Sequence, residues 1–223
     1  MPLKNWKRIY LYGLLLCLIS ILAGAGCSKG LLKKEPEAKI IWTCDNDADE
    51  AMVQQDYETG ILLHKRFLEI KPANALALYH IGYAHGQLGN YLKEISYYEE
   101  AIELGFVQKE IFFNLGMTYL ELDQIKKSIH CFNRVLEINP KNADGYFGLG
   151  LAHKTNIDYR LALEEFLKAL DIDHDHIDAR LQLSILYSDT GKLKEAEKQL
   201  QIILEIDPTN TAAQKFLENI RKE

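Results

Sequence analysis

Cysteine is scarce in this chain, and the few that occur are poorly placed for crosslinking. There are four: Cys17 in an apolar segment, Cys27 after a run of small residues, and Cys44 and Cys131 far apart in the body. A disulfide needs Cα atoms within about 7 Å, so the last two are expected to be free thiols, and packing rather than a disulfide framework must hold the fold. An excess of positive charge is also missing. The formal net charge is −6, and Lys4, Lys7 and Arg8 are the only charged residues up to Cys27. The remainder therefore holds 23 bases against 32 acids, a net of −9. Such a body repels phosphate backbones and anionic lipid headgroups, which argues against nucleic acid as a partner. Catalytic signatures are missing as well: the sequence has no Gly-rich phosphate loop, no nucleophile elbow and no paired acids at a recognisable spacing. No enzymatic activity, cofactor or small-molecule substrate is expected. With 48% apolar and 26% charged residues, neither wholesale disorder nor a polytopic membrane protein fits.

Seven histidines invite a metal reading. His174-Asp175-His176 places two imidazoles and a carboxylate close in sequence, but no cysteine or further histidine follows nearby to complete a four-ligand site. No metal is expected there, and a metal-dependent enzyme centred on His174 and His176 is the weakest functional alternative. His85 and His153 are expected to pack in the core, each with one ring nitrogen satisfied.

What the chain does have is an internal period. Gly82, Gly116 and Gly150 stand 34 residues apart, and Ser184 occupies the next slot. Counting units from residues 41, 75, 109, 143 and 177, the seventh position reads Asp47, Ile81, Leu115, Leu149, Leu183. The twenty-fourth reads His64, Tyr98, Phe132, Phe166, Leu200. Leu78, Ile81, Ala84 and Leu88 share one helical face, Gly89-Asn90 supplies a left-handed stop and an N-cap, and Ile95, Tyr98, Ala101 and Ile102 begin a second face. Asp56 and Asp158 take the same cap slot as Asn90, and Pro72, Pro140 and Pro208 end second helices. Each unit is thus predicted to be a helical hairpin, and the unit spanning 41–74 is suspect because its first half, Trp42 to Gln54, carries acids where core residues belong.

These residues resemble the tetratricopeptide repeat. The match lies in a large fourth residue (Leu78, Phe112, Tyr146), Leu-Gly at seven and eight (Leu115-Gly116, Leu149-Gly150), a small twentieth (Gly60, Ser128, Ala162, Ala196) and a large twenty-fourth. Glu94 at a usually small position and Arg180 at a usually aromatic one depart from the pattern. The resemblance implies an all-α fold, a right-handed superhelical α-solenoid of about five repeats: 41–74 with a degenerate first helix, 75–108, 109–142, 143–176 and 177–210, with 211–223 as a capping helix. It also implies a concave groove lined by positions five and nine. Position five is Tyr79, Phe113, Phe147 and Leu181, and position nine is Tyr83, Met117, Leu151 and Ile185. These eight apolar groups either receive a peptide or partner helix, or pack on one another inside a tightly wound array. A paired Phe113→Ala and Phe147→Ala change is the test the sequence suggests.

Residues 1–27 read as an export signal. A basic start is followed by the apolar stretch Ile9 to Leu22 and the small residues Ala23-Gly24-Ala25-Gly26. Ala25-Gly26-Cys27 resembles a lipobox, with Gly24 where the pattern favours leucine; the resemblance implies a lipid on Cys27 and an outer-membrane lipoprotein facing the periplasm, joined by a linker over 28–40. The uncharged run from Ile9 to Ser28 is also long enough for a retained anchor. Two functional readings follow: a membrane-anchored adaptor that binds a protein partner, of the kind that assists an envelope machine such as a pilus secretin, or a signal-anchored receptor whose cytosolic repeat domain reads targeting peptides.

Overall fold

The computed structural model describes residues 44–221, so Cys27, the apolar amino-terminal stretch and the linker lie outside the described residues. The described residues form eleven helices and no strand. They divide into two compact units, one ending at Val107 and the other beginning at Gln108.

In the first unit, α1 (Asn46–Val53) and α2 (Tyr57–Ile70) form one antiparallel pair, and α3 (Ala75–Gln87) and α4 (Tyr91–Glu103) the next, with α2 packed against α3. The second unit repeats the plan: α5 (Lys109–Glu121) with α6 (Ile125–Ile138), α7 (Ala143–Thr155) with α8 (Tyr159–Ile172), and α9 (Ile177–Asp189) with α10 (Leu193–Ile206). Helix α11 (Thr211–Ile220) then buries Ala213, Leu217 and Ile220 against Ala196, Leu200 and Ile203 of α10. The degenerate first half of 41–74 appears as a helix of 8 residues, where each other first helix has 13.

One turn closes every hairpin. The fifteenth residue of each unit, Gln55, Gly89, Asp123, Ile157 or Gly191, has φ between 56° and 76°. The next backbone N–H reaches back five residues, as in Asn90 N–H to the His85 carbonyl (2.8 Å) and Asp158 N–H to the His153 carbonyl (2.9 Å). This is the Schellman arrangement, which satisfies the carbonyls left open at a helix end. Glycine adopts that conformation without a Cβ penalty; Ile157 is β-branched and does not. Ile157 is also 71% exposed, so its side chain returns little packing energy. Ile157→Gly is therefore expected to stabilise the fold by about 1 kcal/mol, seen as a melting temperature roughly 2–4 °C higher in a calorimetric scan.

Caps are distributed differently from the sequence expectation. Asp56 accepts from Thr59 N–H (3.2 Å), but Asn90 and Asp158 make no side-chain cap bond, and Asp158 instead accepts from Asn156 Nδ2. The side-chain caps lie mainly before first helices: Asn74 accepts from Ala77 N–H (2.8 Å), Asn142 from Gly145 N–H (2.7 Å) and Asn210 from Ala213 N–H (3.0 Å). All three occupy the last position of their unit.

Within each hairpin a small eighth residue faces a large twenty-fourth. A Cβ on Gly82 would come within 2.6 Å of the Tyr98 ring, one on Gly116 within 2.6 Å of the Phe132 ring, and one on Gly150 within 2.5 Å of the Phe166 ring. The three aromatic side chains are fully buried. Where Ser184 replaces the glycine, the opposing residue is the slimmer Leu200, and the serine hydroxyl donates to the Arg180 carbonyl (2.7 Å). The two departures are accommodated locally. Glu94 lies against Gly86, whose Cβ would fall 2.5 Å from the carboxyl, and Arg180 ties its guanidinium to the His174 carbonyl (Nη2, 2.6 Å) and to Gln199 Oε1 (2.9 Å).

Candidate functional site

The eight side chains at positions five and nine do not share one environment. Tyr83, Phe113, Phe147 and Leu151 are buried, Phe147 with only 1% of its surface exposed. Tyr79, Met117, Leu181 and Ile185 are half-buried. The rings explain the division. Phe113 lies 5.5 Å from Phe132, and Phe147 lies 6.0 Å from Phe166 and 5.0 Å from His176. Phe113 packs within its own hairpin, and Phe147 also meets the residue that begins the next helix, as aromatics do in a packed interior. Tyr79 stacks on Tyr98 (5.5 Å) and Phe106 (5.0 Å), Tyr83 meets Tyr57 edge-on (6.3 Å), and Leu181 packs on the core beneath α11. Met117 on α5 and Ile185 on α9 are partly accessible apolar side chains of this set. Between α7 and α9, Lys154 donates to Gln182 Oε1 at 2.9 Å, and burial lowers the Lys154 pKa. This polar bridge joins two first helices, and the Asp189 carboxylate acts on Lys154 in the opposite direction to burial.

Among the histidines singled out in the sequence, His176 has a structural role. His176 is the N-cap of α9: its Nδ1 accepts from Ala179 N–H (3.3 Å), which places the ring proton on Nε2. His174 is exposed, and the pair is not assembled into a ligand set. His85 is buried against the Tyr97 ring (5.5 Å, 16° between planes), but neither ring nitrogen has a hydrogen-bond partner, contrary to the expectation of one satisfied nitrogen. Burial lowers its pKa, with Lys65 and Lys93 adding to the effect.

A second group of polar side chains gathers in the first unit. Cys44 just before α1, Asp49 in α1, His64 in α2 and His80 in α3 converge, each offering one ligand atom, with those atoms all within 4.8 Å of one another. Cys44 Sγ lies 3.6 Å from His64 Nδ1 and 3.6 Å from His80 Nδ1, and Asp49 Oδ1 lies 2.9 Å from His80 Nδ1 and 3.6 Å from His64 Nε2. His64 is fully buried and His80 is 5% exposed. Burial, with the Asp49 carboxylate beside it, pushes the Cys44 thiol up to about 12. Burial followed by His80 pushes His64 down to about 4. Both cysteines of the described chain are free, as expected. The signal available in the sequence was the polar character of the 41–74 unit at its core positions, read there only as degeneracy.

Models of the tetratricopeptide repeat match residues 75–104, 110–142 and 156–220, together more than half of the chain. No curated protein matches it. Among solved structures, PilW, described as a widely conserved type IV pilus biogenesis factor, aligns with a TM-score of 0.71 at 20% identity, over 78% of this chain and 81% of its own. MamA from Desulfovibrio magneticus RS-1 aligns with a TM-score of 0.66 at 20% identity, over 74% of this chain and 94% of its own. YrrB, described as having an unusual peptide-binding site, aligns with a TM-score of 0.61 at 21% identity, over 78% and 89%. At these identities the likeness is one of fold.

Proposed function

The chain belongs to the tetratricopeptide repeat family, and on that premise we propose that it is a membrane-tethered adaptor that holds a segment of another protein against its first helices. The observation that carries this reading is the surface of the second unit. There α7 contacts both α5 and α9, Met117 on α5 and Ile185 on α9 are half-buried, and Lys154 of α7 donates to Gln182 of α9. Half-buried apolar side chains on first helices suit the apolar face of an amphipathic helix or an extended peptide. YrrB and PilW support an interaction role by kinship of fold, and an envelope assembly such as a pilus secretin is the task we infer for a partner. We assign the chain no catalytic step.

The tether in this proposal is a lipid on Cys27 of the Ala25-Gly26-Cys27 motif, which places the repeats in the bacterial envelope, on an outer membrane facing the periplasm. The competing reading is a retained anchor over the uncharged Ile9–Ser28 run with the repeats in the cytosol. Metabolic labelling with palmitate distinguishes them. The adaptor reading expects label in the wild-type chain, none in Cys27→Ala, and loss of a chemically crosslinked partner from the membrane fraction of that variant. Unlabelled wild-type protein that stays in the membrane would replace it with the anchored receptor.

A further inference from the structure

We propose that Cys44, Asp49, His64 and His80 form a binding site for a divalent transition metal of the zinc class, which staples the short first hairpin to the repeat that follows. Zinc takes thiolate, imidazole and carboxylate ligands in a tetrahedral site, with bonds of about 2.0–2.3 Å. Ligand atoms in such a site lie roughly 3.3–3.8 Å from one another, by the geometry of those bond lengths. One imidazole binds an ion through one ring nitrogen: with His64 donating from Nε2, its 3.6 Å separation from Asp49 Oδ1 and the 3.6 Å from Cys44 Sγ to His80 Nδ1 fall in that range. The 2.9 Å approach of Asp49 Oδ1 to His80 Nδ1 needs only a small opening. One sulfur, two imidazoles and one carboxylate make a complete set of four, which marks a structural site rather than one with an open position for substrate.

A second observation points to a ligand. His64 Nε2 is a buried atom with no hydrogen-bond partner, and His64 is fully buried. An orphaned polar atom is costly in an interior, and a cation placed among the four side chains would satisfy it.

The repeat register shows why the site lies here. Position four is Cys44 where later units have Leu78, Phe112 and Tyr146, position nine is Asp49 where they have Tyr83, Met117, Leu151 and Ile185, and position twenty-four is His64 where they have Tyr98, Phe132, Phe166 and Leu200. Donor side chains have thus replaced large apolar ones at position twenty-four, which is buried in every later unit, and at positions four and nine, the former also polar as Arg180 in the last unit; His80 is supplied by the second unit. That unit also has the shortest first helix, 8 residues, which by itself buries little apolar surface. A metal joining α1, α2 and α3 would supply the fixed contact that the missing core residues do not.

Cobalt(II) titration of the purified full chain, freed of metal by chelation, tests the site. The expected result is one equivalent bound, with the visible absorption of tetrahedral cobalt, a thiolate-to-cobalt charge-transfer band in the near ultraviolet, and displacement of both by zinc. Cys44→Ser should remove the charge-transfer band. His64→Leu, which installs the residue that Leu200 occupies at this position, should keep the helical circular dichroism and weaken binding by at least about 100-fold. A wild-type chain that shows no tetrahedral spectrum, or spectra unchanged in both variants, overturns the site.

Discussion

Phe147→Ala is expected to destabilise the second unit by about 3–5 kcal/mol, measured as a lowered denaturant midpoint by circular dichroism. Phe147 sits at a position that the family resemblance assigns to a groove, and a groove residue truncated to alanine would change stability little. Its ring is 1% exposed and packed between Phe166 and His176, so its removal opens a cavity that two rigid neighbours cannot fill. Met117→Ala, on a half-buried side chain of the same surface, should cost distinctly less. Equal small losses at both positions would mean that Phe147 is not a core residue.

Gly116→Ala is expected to cost about 2–3 kcal/mol, the range of core overpacking, because the added Cβ would fall 2.6 Å from the ring of Phe132. Phe132 is fully buried and Gly148 approaches it as closely, its own Cβ falling 2.4 Å from the ring, so the ring has little room to retreat. The last repeat shows the compensation, with Ser184 opposite Leu200. Adding Phe132→Leu to Gly116→Ala should therefore give a double variant less destabilised than the two single losses predict, by about 1 kcal/mol or more. Strict additivity in a denaturation series would refute the proposed contact.

The features legible in the sequence were those that every repeat must satisfy in the same way. The 34-residue spacing of Gly82, Gly116 and Gly150 is visible because each hairpin meets the same close approach. The left-handed turn residue was visible where it is Gly89 or Gly191 and invisible where it is Gln55, Asp123 or Ile157, since the neighbouring helices impose the conformation whatever the side chain. The division of the eight groove positions was not legible either, because burial at position five depends on what the next element places over it. His176 and Phe166 lie close to Phe147, and neither contact follows from spacing. For that reason the paired Phe113→Ala and Phe147→Ala change reports on stability before it reports on binding. The Cys44, Asp49, His64 and His80 group was hidden for a related reason: its members are 5, 15 and 16 residues apart along the chain and meet only after three helices have packed.

The most direct test of an interaction surface on the first helices is partner capture by a chain with Met117→Glu and Ile185→Glu, compared with wild type by quantitative crosslinking in native membranes. Both side chains are half-buried, with part of each reaching solvent, so the variant should keep its helical signal and cooperative melting while the specific crosslinked partner falls by at least about tenfold, the effect of roughly 1.4 kcal/mol of lost binding. Undiminished capture of the same partner by the folded variant would contradict the account.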